Sequence, residues 1–116
     1  MVPLMRSFRF ALAGLAYLLR TQRNARIEAA IGAVAIAAGT ALGLSAPEWG
    51  VLVLTICLVL ILEGLNTALE LCVDLASPDV HPKAKAAKDL AAGMVLVAAA
   101  GSVIVGVLLF GPKLVQ

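Results

Sequence analysis

The run Gly50–Leu62 carries no charge, and it then meets Glu63, Asn66, Glu70 and Asp74 in quick succession. Within hydrocarbon, an isolated segment satisfies its backbone only as a helix. At about 100° per residue, positions 63, 66, 70 and 74 fall within about 80° of one another, forming a stripe about 16 Å long. Ionisable groups at membrane depth are costly and usually serve ions, protons or charged substrates. The plainer reading is a helix that leaves the bilayer early and solvates its acidic end. That suits Asp74; it suits Glu63 and Asn66 less, because they lie deeper in the run.

The rest of the chain is consistent with a membrane setting. It is 62% hydrophobic and 14% charged, whereas soluble domains average about 45–50% apolar and about 25% charged. An all-α integral membrane protein is expected, and 116 residues leave room for a single membrane domain over 1–116. Cys57 and Cys72 are fifteen residues apart in one predicted helix and cannot meet within it. They read as buried apolar thiols, and the lack of a further His/Cys cluster argues against zinc. No P-loop and no kinase-type glycine-rich loop is present. No nucleic-acid partner is expected.

At the N-terminus, Leu4, Phe8, Ala11, Leu12, Leu15, Leu18 and Leu19 cluster on one face of a helical wheel. Arg6, Arg9, Ala13 and Arg20 project from the other. This predicts an amphipathic surface helix over about 4–24, lying in the interface of an anionic leaflet; the alternative is a helix packed on another protein helix. A cleaved signal peptide is rejected, because Arg20–Asn24 is polar and basic and offers no small-residue site. Three spans follow, at about 29–46, 49–72 and 88–111. Ser45–Glu48 forms the first turn, with Pro47 restarting a helix and Trp49 as an interfacial anchor. Ser77-Pro78-Asp79 and His81-Pro82 mark the second connection.

Arg6, Arg9, Arg20, Arg23 and Arg26 precede span one, and Lys83, Lys85 and Lys88 separate spans two and three. The first turn holds no Lys or Arg, and the C-terminus holds only Lys113. The positive-inside rule then places the N-terminus and the 74–89 loop in the cytoplasm. The acidic stripe faces the compartment that holds ATP and magnesium. Gly39-xxx-Gly43 and Ser102-xxx-Gly106 are weak candidates for close helix packing. Three helices cannot shield a polar stripe from lipid on every side, so a homo-oligomer is expected.

Carboxylates beside an amide and basic residues suit phosphoryl transfer. Magnesium favours one or two carboxylates plus phosphate oxygens and water, and a carboxylate near a hydroxyl can accept its proton. Lys88 could hold a phosphate, and Asp89 would sit near a helix N-terminus; the bland reading has Lys88 snorkelling and Asp89 capping. Two other classes compete. A small proton-coupled transporter would explain an intramembrane Glu63, but the acids sit near one end of the helix and the chain has no inverted repeat. In a non-enzymatic assembly subunit, the acids would only pair with Lys83–Lys88 of a neighbour.

Glu63-Gly64-Leu65-Asn66-Thr67-Ala68-Leu69-Glu70, then Asp74, His81-Pro82 and Ala87-Lys88-Asp89-Leu90-Ala91-Ala92-Gly93, closely resemble the prokaryotic diacylglycerol kinase family. So do Phe8-Arg9-Phe10-Ala11 and Arg23-Asn24-x-Arg26-Ile27, and the resemblance covers nearly the full chain. It implies a homotrimer of three-span protomers in the bacterial inner (plasma) membrane, each with an N-terminal surface helix. It also implies ATP- and Mg2+-dependent phosphorylation of a membrane lipid alcohol, in a site shared between protomers. By this resemblance Glu63 looks like the catalytic carboxylate, and Glu70 like a metal ligand that also touches the nucleotide. Asn66 and Asp74 would support the site, and His81, Lys88 and Asp89 would contact ATP or hold the loop around it. The family usually has a second metal-binding Glu where this chain has Gln22, also assigned to the nucleotide site. Glu28, about one and a half turns later, is a candidate to compensate. The segments around Arg23 and Ser77 look more like the Gram-positive-type branch, whose members tend to be undecaprenol kinases; diacylglycerol remains the alternative acceptor.

Overall fold

The computed structural model describes residues 3–116 as four helices: α1 (Pro3–Thr21), α2 (Arg23–Leu42), α3 (Ala46–Ala76) and α4 (Pro82–Leu114). The last three are each long and apolar enough to cross a membrane. α3 is the central element, packing along α4 and against α2, while α1 packs against α2.

Each connection has a local cause. Between α1 and α2 only Gln22 leaves helical geometry (φ −112°, ψ 111°). The N-terminal helix therefore ends at Thr21, short of the expected residue 24. α2 ends at Leu42 because Gly43 takes φ +79°, a left-handed conformation that glycine adopts without steric cost. The first span thus stops earlier than the expected 46. Ser45 then caps α3 reciprocally. Its hydroxyl accepts from the Glu48 N–H at 3.3 Å, and its own N–H donates to Glu48 Oε1 at 2.9 Å, with Pro47 in the first turn. Gly39 makes room for this reversal: a Cβ there would lie 2.7 Å from Leu44 Cδ1 and 3.1 Å from the Trp49 ring. The Gly39/Gly43 pair therefore shapes the turn and lets the start of α3 pack on the end of α2. A second close approach of α2 to α3 is made at Gly32, against Ile56.

His81 caps α4, its Nδ1 accepting the Lys83 N–H at 3.1 Å, and Pro82 opens the helix. α4 thus begins six residues before the expected span, and Lys88 and Asp89 lie about two turns inside it. This corrects the expectation for Asp89, which meets no free helix-terminal N–H groups. Its carboxylate accepts from Lys85 one turn earlier, at 2.6 Å.

The apolar core within one chain is small: Ala25, Leu52, Val59 and Leu109. Many long apolar side chains remain exposed, Leu96, Ile104 and Leu108 of α4 among them. In water such a surface would drive aggregation; in a bilayer it is the ordinary outer face of a spanning helix. Cys57 and Cys72 are also exposed, contrary to the expectation of buried thiols, because they lie on the outward side of α3.

Candidate active site

The polar stripe of α3 is graded in burial. Glu63 is only 3% exposed and Thr67 6%. Asn66 and Glu70 are half-buried, and Asp74 is exposed. Thr67 donates back to the Glu63 carbonyl at 2.9 Å, so its hydroxyl is satisfied within the helix. The Asn66 amide nitrogen donates to Glu70 Oε1 at 3.3 Å. At the end of the stripe, Lys88 donates to Asp74 and ties α4 to α3 by an ion pair.

What remains unpaired is more informative. Glu63 Oε2, Asn66 Oδ1 and Glu28 Oε2 are buried without any hydrogen-bond partner. An unsatisfied buried polar atom costs about 1–3 kcal/mol, and more when charged. A scaffold gains nothing from such atoms, whereas a ligand site needs acceptors that are still free.

Two of these atoms belong to the stripe that the sequence points out. The third does not. Glu28 stands on α2 within electrostatic reach of Glu63, and the sequence alone offered it only as a substitute for Gln22. Glu28 is also the one ionisable residue lining a cavity of about 590 Å³ between α2, α3 and α4. The remaining walls are apolar or small, including Ile31, Gly32, Ile56, Val59, Ser102 and Gly106. Sequence periodicity could not pair Glu28 with Glu63, because the two sit on different helices.

Not every predicted residue joins the stripe. Gln22 is the N-cap of α2, and its side-chain amide donates to Thr21 at 3.3 Å. Among the described residues it makes no hydrogen bond to the stripe. His81 lines a smaller pocket of about 380 Å³ with Val73, Ser77, Lys83 and Ala87, near the Asp74–Lys88 pair. Asp89 is engaged with Lys85. Among the described residues no group of three or more His, Cys, Asp or Glu side chains converges closely enough to hold a metal on its own. A divalent ion here would take oxygens from a ligand as well, the mode that magnesium favours with phosphates.

The constellation therefore offers a buried carboxylate at the head of the stripe, an amide–carboxylate pair one to two turns on, and cations at its exposed end. Residues 9–110 match the model of the family described as prokaryotic diacylglycerol kinase. The chain is 52% identical over 111 residues to a diacylglycerol kinase of Synechocystis sp., an alignment covering 95% of this chain but 63% of that protein. It is 45% identical over 109 residues to the undecaprenol kinase of Bacillus subtilis, covering 94% of this chain and 89% of the relative. A diacylglycerol kinase of Helicobacter pylori is 40% identical over 50 residues, 43% of this chain and 39% of that one. A match that begins within α1, reaches the last turns of α4 and includes the whole polar stripe shows that the chain belongs to the prokaryotic diacylglycerol kinase family.

Proposed function

We propose that the chain is a lipid kinase that transfers the γ-phosphoryl group of ATP, with Mg2+, to the hydroxyl of a membrane lipid alcohol at the cytoplasmic face. The observation that carries this reading is Glu63, 3% exposed yet holding an oxygen with no partner. A hydroxyl arriving from the apolar side would supply the missing hydrogen bond.

In this reading Glu63 accepts the hydroxyl proton as the lipid oxygen bonds to the γ-phosphorus. The bond from that phosphorus to the βγ-bridging oxygen breaks, leaving ADP and a phospholipid. Glu70, held by the Asn66 amide, and the free Oδ1 of Asn66 are oxygen donors of the type magnesium takes beside phosphates. The ion would neutralise charge on the transferring group. Lys88, anchored on Asp74, supplies positive charge at the same end, and His81 and Asp89 border the nucleotide. Gln22 joins the nucleotide side in the assembled protein, a homotrimer whose sites are shared between protomers. α1 lies along the membrane surface. The cavity beside Glu28 suits a hydrocarbon chain, and the two long relatives, one named for each lipid, make diacylglycerol and undecaprenol the acceptors to try.

The purified protein in mixed micelles with Mg2+ and labelled ATP is expected to phosphorylate undecaprenol, diacylglycerol or both. A trimeric preparation that yields no phospholipid from either overturns the proposal. A single-cysteine probe at position 80 should resist an external reagent that labels one at 115; the reverse pattern would put the acids on the wrong side for ATP.

A further inference from the structure

The corner between α1 and α2 holds an interaction that helix formation does not require. From α2, Arg26 Nη1 donates to the carbonyls of Leu19 at 2.8 Å and Arg20 at 3.0 Å, both in the last turn of α1. Those carbonyls are among the four that a helix C-terminus leaves without internal partners, and a guanidinium there also complements the helix dipole. Among the described residues, these are the only side-chain hydrogen bonds that α1 receives from another helix, and no ion pair reaches it.

Nothing else on α1 would fix its direction as firmly. The helix has no buried residue. Yet its last turn arrives at a telling place: Leu18 Cδ2 lies 3.6 Å from the position of a Cβ on Gly64, the residue next to Glu63. The end of α1 thus meets α3 one residue along the chain from Glu63, whose carboxylate is almost wholly shielded and has an unpartnered oxygen.

We propose that Arg26 is a positioning residue that clamps the end of α1 as a cover beside Glu63, keeping water from the carboxylate so that a lipid hydroxyl takes the phosphoryl group. The inference rests on the kinase reading for its catalytic consequence, but the cover itself is testable without it. With the cover loosened, water could take the place of the alcohol. The water oxygen would bond to the γ-phosphorus, the bond to the βγ-bridging oxygen would break, and Glu63 would take the proton. The products would be ADP and inorganic phosphate. Excluding water from a reactive site is a recognised role of closing elements.

The test uses the full chain in detergent micelles, as Arg26→Gln, Arg26→Lys and Leu18→Ala. Modification of Glu63 by a hydrophilic carbodiimide is followed by peptide mass spectrometry, and ATP hydrolysis without lipid is measured beside lipid phosphorylation. Loss of charge-assisted hydrogen bonds in Arg26→Gln should raise the Glu63 modification rate by about tenfold. The ratio of hydrolysis to phosphorylation should rise with it, while the KM for Mg-ATP stays within about twofold, as for a change remote from the nucleotide. Arg26→Lys, which keeps the charge but not the fork geometry, should fall between. Leu18→Ala leaves the corner intact and should also expose Glu63, so it decides the matter should Arg26→Gln fail to assemble. Unchanged modification and hydrolysis ratio in Leu18→Ala and in whichever Arg26 variants assemble overturns the cover. Absence of lipid phosphorylation in the unaltered protein would overturn the kinase reading instead, and the modification rates would still report on the clamp.

Discussion

Two regions of α3, its first turn and its middle, carry similar chemistry and treat it in opposite ways. In the first turn Glu48 is engaged through one oxygen: Oε1 accepts from the Ser45 N–H at 2.9 Å and lies 3.4 Å from Lys113 at the far end of α4. In the middle Glu63 and Asn66 keep buried oxygens without partners, joined by Glu28 from α2. A carboxylate tied to its own helix cap and to a lysine of a neighbouring helix holds the fold. Carboxylates and amides left open, despite a desolvation penalty of about 1–3 kcal/mol per atom, keep acceptors that a ligand can use. The Asp74–Lys88 pair lies between these extremes, linking α3 to α4 in water-exposed surroundings where an ion pair is worth about 0–1 kcal/mol. Its value to the fold is small, so losing it costs the structure little.

This contrast can be broken most decisively at Glu63. Glu63→Gln should lower lipid phosphorylation by about 10²–10⁴-fold, the usual worth of a positioned general base, while Mg-ATP binding by calorimetry stays nearly unchanged. Retained turnover would return Glu63 to a structural role. Glu70→Gln is expected to lower the rate and also weaken Mg-ATP binding by about tenfold or more, since an anionic oxygen near a divalent ion is lost. Equal loss of both properties in the two variants would mean their roles are wrongly divided.

At the engaged end the expected effect is on stability alone. Ser45→Ala removes a cap worth about 1 kcal/mol, lowering resistance to thermal unfolding with activity per folded protein unchanged. Reduced activity there would show the two regions to be coupled. The smallest effect is expected at Gln22. Gln22→Glu should lower the Mg2+ concentration needed for half-maximal activity, by adding an anionic oxygen at the position that the family resemblance assigns to a second metal ligand. In the same assay Glu28→Gln separates the two candidates: a raised Mg2+ requirement would make Glu28 the substitute ligand, whereas a raised KM for lipid would assign it to the acceptor side with Glu63.

Much of the architecture was legible because membrane helices obey strong local rules. Uninterrupted apolar runs marked α2, α3 and α4; Ser45, Pro47, Glu48 and His81-Pro82 marked where helices begin. The stripe itself follows from 3.6 residues per turn. Other features were less visible. The Gly39/Gly43 spacing reads as a packing motif, but only the returning chain shows that what Gly39 admits is Leu44 of the turn and the Trp49 ring of α3. His81-Pro82 signals the start of α4, but the apolar span begins only at about 88, and the charged residues between resemble loop in composition, although their spacing lets Lys85 and Asp89 pair along a helix.

The sequence by itself determined the helices, the three apolar spans, the polar face of α3 and membership of a kinase family, because each depends on residue type at short spacing. Only the tertiary structure decided that Glu28 approaches Glu63, that Arg26 grips the end of α1, and that Leu18 comes to rest beside Gly64. The physical reason is common to all three. Each depends on the angle and separation of two helices, and these follow from packing at places such as Gly32 and Ile56 and not from any repeat written along one chain segment.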